Sequence, residues 1–221
     1  MAGLLGVALD AATSPPETTG TVPDEGAVSR WCDCSRHAQL FFGAVSYPGL
    51  VGEVRCFGCG ALVPDHSGPA HGYMLSSPGC WALYGSVLAW RNALPGGDGT
   101  MAQRIVDTYA VQHATNRDRR NRQSVAVHLM SLCASVEHGT SGTRLQKLIG
   151  DWTHHDYPLL VPGPNGYPVT VRDVADAGQR SRRAIVDDWA TSAWAAWSAH
   201  HDTVRAWLAQ ATQPGARRIK R

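Results

Sequence analysis

The sequence predicts a mainly α-helical bundle, preceded by a small cysteine- and glycine-rich segment of loops or short strands that is a candidate for zinc binding. Three observations carry that prediction. Beyond residue 80, apolar side chains recur at spacings of three and four along most of the chain. Proline and glycine signals such as SPG at 77–79, LPGG at 94–97 and Gly139 punctuate those stripes into helix-sized pieces. Of the six cysteines, Cys32, Cys34, Cys56, Cys59 and Cys80 all fall in the stretch before the stripes begin.

The organisation expected is a flexible N-terminal arm at 1–28, a Cys-rich segment at 29–80, a helical bundle at 81–213 and a basic tail at 214–221. The arm, with DAATSPPETTGTVPDEGAV at 10–28, is rich in proline, threonine and acid and short of core-forming residues. The Cys-rich segment holds only short apolar pieces such as LFFGAVSY.

The elements then follow in order. SPGCWALYGSVLAW opens on a proline–glycine turn and stops at LPGGDG. MAQRIVDTYAVQHA carries Ala102, Val106, Tyr109 and His113 on one stripe. NRDRRNR, at 116–122, reads as a charged connector. QSVAVHLMSLCASVEHG places Val125, His128, Leu132 and Val136 on one face, with Gly139 as its stop. TSGTRLQKLIGDW is a shorter helix, and YPLLVPGPNGYPV is a loop holding a PNGY turn. VTVRDVADAG begins a helix at Thr170 or Val171, with Asp173 in its first turn. RRAIVDDWATSAWAAWSAHHDTVRAWLAQ reads as one long helix, apolar over a wide arc through Trp194, Trp197, His201, Val204 and Leu208. No internal repeat occurs.

Composition excludes several function classes. A chain of 221 residues with 43% hydrophobic residues is globular, and a net charge of +2 is too small to argue for nucleic acid. No apolar run reaches membrane-spanning length, and MAGLLGVALDAA lacks the basic flank of a secretory signal. A cytoplasmic location follows, where thiols stay reduced and metal binding outweighs disulfides. No Gly-rich dinucleotide motif, P-loop or nucleophile elbow is present, so no nucleotide cofactor is expected.

Two constellations carry chemistry. The first is C-x-x-C at Cys56 and Cys59, followed by glycine, the usual knuckle for tetrahedral zinc. His71 and Cys80 are the nearest further ligands, and Cys32 with Cys34 offers another pair. Cys80 also sits where a helix opens, so its thiol could be a nucleophile instead. The second is a set of histidines on apolar stripes of separate helices: His113, His128 and one of the adjacent His200 and His201. If those stripes converge, the imidazoles meet in the interior, where they hold a metal or act as general acid and base. Asp107 would then orient a histidine or act as a base, the plainer alternative being an ion pair with Arg104 or Arg122. Tyr109, on the His113 face, is a candidate proton donor. Trp81, Tyr84, Trp194 and Trp197 are candidates to line an aromatic substrate site.

The set CFGCG, GPAHGYMLSSPGCW, VDTYAVQH, SVAVHL and WSAHHDTVRAW resembles a bacterial family known only as a domain of unknown function. The resemblance covers about residues 56 to 208 and leaves the first 50 outside it. It implies that Cys56, Cys59, His71, Cys80, Asp107, Tyr109, His113, His128 and His201 form a set, and it carries no established activity.

Three functions are consistent with these residues. One is a small-molecule tailoring enzyme of bacterial secondary metabolism, with a Trp- and His-lined site and bound zinc. Another is a metal-independent acid–base enzyme catalysing a condensation and ring closure of the Pictet–Spengler kind. The third is a non-catalytic, zinc-stabilised binding module.

Overall fold

Helical periodicity becomes helix over most of its predicted length. The computed structural model describes residues 52–97, 99–115, 118–152, 157–158, 160 and 167–213, all within one compact unit. The N-terminal arm, Cys32, Cys34, most of the proline–glycine loop and the basic tail lie outside the described residues. Among the described residues there are two short strands, β1 (Glu53–Arg55) and β2 (Leu62–Pro64). Seven α-helices follow: α1 (Pro78–Ala93), α2 (Thr100–Gln112), α3 (Arg119–Val136), α4 (Gly142–Trp152), α5 (Val171–Asp176), α6 (Arg182–Ala196) and α7 (His201–Ala211). No helix among them is long and apolar enough to cross a membrane.

The strands form an antiparallel hairpin in which Val54 pairs with Val63 and Arg55 with Leu62. Pro78 stands in the first turn of α1, where its missing N–H costs nothing. Gly79 is required there, because a Cβ would stand 2.0 Å from the carbonyl oxygen of Pro64. That contact lets the N-terminus of α1 press onto β2.

Two apolar cores meet at α2. The first joins the hairpin to α1, α5 and the start of α6 through Val63, Tyr84, Ile105, Val174 and Trp189. The second joins α3, α4, the end of α6 and α7 through Leu132, Leu145, Trp152, Trp197 and Val204. Between them, Trp189 Nε1 donates to Gln112 Oε1 at 2.9 Å, and Gln112 Nε2 donates to the Val169 carbonyl at 2.8 Å. The Cys-rich segment, read from sequence as separate from the bundle, contributes directly to the first core.

Two sequence expectations are corrected. The charged run at 116–122 is not wholly a connector. Asp118 caps α3 by accepting from the Asn121 N–H at 2.8 Å, so Arg119 to Arg122 form its first turn. The long C-terminal helix is broken by a 3₁₀ turn at Ser198–His200. At the break, His201 Nε2–H donates to the Trp194 carbonyl at 2.9 Å, and its ring stacks on the indole of Trp194 at 3.8 Å. The turn brings both α6 and α7 onto α3, burying Trp194, Trp197, Val204 and Leu208 in one core.

Candidate metal centre

Cys56, Cys59, Cys80 and His113 offer one ligand atom each, all within 4.8 Å of one another. The hairpin supplies the first two, the opening turn of α1 supplies Cys80, and the C-cap of α2 supplies His113. Cys56 is 3% exposed, Cys59 1%, and Cys80 and His113 0%. All four are thus closed off from solvent.

Local backbone bonds shape the knuckle. The Cys56 N–H donates to the Ala61 carbonyl at 2.8 Å, and the Gly60 N–H returns to the Cys56 carbonyl at 3.1 Å. Gly58 sits between the thiols because nothing larger fits. A Cβ there would lie 2.3 Å from the Leu75 carbonyl oxygen and 2.7 Å from His113 Cδ2. The Leu75 N–H in turn donates to the His113 carbonyl at 2.9 Å, fastening the loop before α1 to the end of α2.

His113 is set up as a ligand by its other nitrogen. Nδ1–H donates to the Tyr109 carbonyl at 2.7 Å, so Nε2 is the nitrogen that faces the thiols. Nε2 lies 3.4 Å from Cys56 Sγ and 3.3 Å from Cys80 Sγ, and Cys59 Sγ lies 3.8 Å from Cys80 Sγ. Hydrogen bonds from Cys59 and Cys80 hold the Cys56 thiol far below its ordinary value, whereas Cys56 and Cys59 push Cys80 well above it. Burial pulls His113 down, but hydrogen bonds to Cys56 and Cys59 outweigh it and raise the imidazole to about 9. Three thiols and an imidazole held this close in a buried space are the surroundings that a divalent ion would fill. This buried group of three cysteines and one histidine can hold a metal ion.

His71 was expected in this group and lies outside it. Its Nδ1 accepts the Met74 N–H at 3.2 Å, and its ring meets Trp81 edge-on at 4.9 Å. A lone pair committed to the backbone cannot also face the thiols. His113 takes the fourth position, although sequence periodicity had assigned it to a different site.

The three stripe histidines do not converge. His113 faces the cysteines, His201 holds the break after α6, and His128 pairs with Asp107. Asp107 is fully buried and His128 is 6% exposed. Asp107 Oδ1 accepts from His128 Nδ1–H at 2.8 Å and from Gln103 Nε2 at 2.8 Å, and Oδ2 accepts from the Ser131 hydroxyl at 2.5 Å. The alternative ion pair with Arg104 does not form, since that guanidinium turns to Asp187 and Ser135.

The remaining candidates pack rather than line a shared hollow. Tyr109 is buried with its hydroxyl against Ser76, and burial raises its phenol well above the usual range. Its ring stacks on Tyr84 at 4.0 Å, and Tyr84 stacks on Trp81 at 5.1 Å. Trp194 and Trp197 belong to the other core. Sequence reasoning missed Gln103 and Ser131, whose link to Asp107 is one helical turn back along α2 and across to α3. A second close group, Cys133, Glu137 and His138, is less suited to a metal. Its carboxylate already accepts from Arg205 at 2.8 Å and 3.0 Å and from Trp194 Nε1 at 3.0 Å.

Fold and cluster together define a helical protein organised around a buried Cys₃His group able to hold a metal. The chain belongs to the family of unknown function DUF5946, whose profile matches residues 54–198 and so spans all four residues of the group. No curated protein and no solved structure matches it.

Proposed function

We propose that Cys56, Cys59, Cys80 and His113 hold one zinc ion with a structural role, and that the protein is a zinc-stabilised helical module that binds a small molecule in the bacterial cytoplasm. One observation carries this reading: four protein ligands are brought together with almost no exposed surface. Structural zinc sites are four-coordinate and closed, whereas catalytic ones keep a position for water or substrate. Three thiols and an imidazole are also the donor set that zinc prefers. The ion would tie the hairpin to the start of α1 and the end of α2. The four described cysteines are free thiols, in keeping with a reducing compartment.

Elemental analysis of the full chain tests the proposal. One zinc per chain is expected in the wild type and in His128→Ala and His71→Ala, with loss in Cys59→Ser and His113→Ala. An ion that leaves in His128→Ala and stays in Cys59→Ser would place the metal elsewhere and overturn the proposal.

The Asp107–His128 pair supports a second reading, a small-molecule tailoring enzyme working by acid–base chemistry. A buried carboxylate that fixes one imidazole nitrogen leaves the other to move a proton, as a condensation and cyclisation of the Pictet–Spengler kind requires. This reading expects an amine–aldehyde pair turned over by the wild type to react ~100-fold slower with His128→Ala. Unchanged turnover in that variant would remove it.

A further inference from the structure

The second apolar core leaves a cavity of about 380 Å³ where three helices meet. Each contributes an apolar side chain one turn from a polar one: Ala134 with His138 from the end of α3 and the turn after it, Leu148 with Arg144 from α4, and Leu208 with Arg205 from α7. Ala134 and Leu208 are buried members of that core, and Leu148 packs against it. His138, Arg144 and Arg205 keep exposed surface. The floor is therefore hydrocarbon, and the polar groups stand at the rim. Cavities that take small molecules run from about 300 to 1,000 Å³ and combine an apolar lining with a few placed polar groups.

The two arginines differ. Arg205 is held, with Nε and Nη2 donating to Glu137 at 3.0 Å and 2.8 Å and Nη1 donating to Asp202 at 2.9 Å. Two carboxylates thus match its charge, and neither lines the cavity. Among the described residues the Arg144 guanidinium has no hydrogen bond or ion pair, and the His138 ring has no hydrogen bond. No acidic side chain stands among the lining residues described. The rim therefore carries one unmatched cation above an apolar floor.

We propose that this cavity binds a small monocarboxylate with an apolar body. The body lies on Ala134, Leu148 and Leu208 and leaves water on that side. The carboxylate takes paired N–H donors from Arg144. One unmatched cation suits one negative charge, which favours a carboxylate over a phosphate dianion. The inference rests on the small-molecule half of the function proposed above and names its site and ligand class. The zinc half is independent, since none of the lining residues belongs to the Cys₃His group.

The test is a titration of the zinc-loaded full chain with octanoate and with phenylbutanoate, followed by amide NMR at constant ionic strength. Saturable shifts centred on Ala134, Thr140 and Leu208 are expected. Phenylbutanamide, which lacks the charge, and acetate, which lacks the body, should each bind at least tenfold more weakly. Arg144→Ala should weaken phenylbutanoate about tenfold and leave the amide unchanged, a difference that a merely structural role for Arg144 would not produce. Ala209 lines the cavity from the exposed side of α7, so Ala209→Leu should fill the space and weaken both probes at least tenfold. Lys147→Ala, which removes an exposed cation of α4 outside the cavity, should change nothing. Zinc content, measured on the same samples, should stay constant throughout. Failure of both carboxylates to saturate, or an amide that binds as tightly as its acid, would overturn the proposal. Binding that survives both Arg144→Ala and Ala209→Leu would overturn this cavity alone and leave a small-molecule binder with its site elsewhere.

Discussion

Cys80 Sγ and His113 Nε2 stand 3.3 Å apart although 33 residues of chain separate them. One opens α1 and the other ends α2, so the pair closes the helical hairpin at the same point where the strand knuckle docks. A cross-link there acts on three elements at once.

Removing either residue should therefore cost more than one side chain. For Cys80→Ser and His113→Ala the expected outcome is loss of the ion and about 4 kcal/mol of stability, comparable to losing a cross-link in a small domain. In a chain of this length that lowers Tm by roughly 10 °C. Calorimetry beside metal analysis checks it, and His71→Ala, which touches no thiol, should keep the ion and lose only the smaller stability of its Met74 hydrogen bond and Trp81 contact.

Gly58→Ala should weaken metal binding without removing a ligand. The added methyl would overlap the Leu75 carbonyl and the His113 ring. Competition with a chromophoric chelator should show at least tenfold weaker retention, about 1.4 kcal/mol. Phe57→Ser, one residue away with 70% of its surface exposed, should shift neither retention nor stability by more than about 0.5 kcal/mol.

Asp107→Ala should be among the most destabilising substitutions outside the metal group. It strands donors from Gln103, His128 and Ser131 in a buried space, at a cost of about 3 kcal/mol or more. Urea denaturation measures it. A double-mutant cycle with His128→Ala should return a coupling of about 1 kcal/mol or greater, and additive effects would show the contact to be inert.

Glu137 should leave an acid signature. Hydrogen bonds from Arg205 hold its carboxyl down at about 2, against an ordinary 4.5. A folded pKa below the unfolded one gives stability that is present above about 4.5 and lost as pH falls through about 2. The group is largely open to solvent, so screening limits its contribution to about 0.5 kcal/mol. Carboxyl NMR titration of Arg205→Ala should show the pKa returning toward its ordinary value; an unmoved pKa would assign the effect to Trp194 instead.

The legible parts of this protein were those that depend on neighbours in the chain. Proline and glycine at 78–79 and 95–97 bounded α1, and stripes three and four apart marked α2 to α4. The C-x-x-C knuckle was legible too, because two thiols with two residues between them meet whatever surrounds them. The break after Trp197 was not, since no proline or glycine stands there. Burying Trp194 and Val204 against the same helix decided it.

The fourth member of the cluster shows the same division most sharply. By distance along the chain His71 was favoured, only twelve residues past Cys59. His113 reaches the thiols because α1 and α2 fold back on each other and Gly58 lets the imidazole come close. Sequence by itself determined that this chain is helical, that it carries a thiol knuckle, and where α1, α2 and α5 start. Tertiary structure alone decided which imidazole meets the thiols and that the others do not join it. Periodicity reports the face of a helix on which a residue lies, while the partner met by that face depends on how separate helices cross.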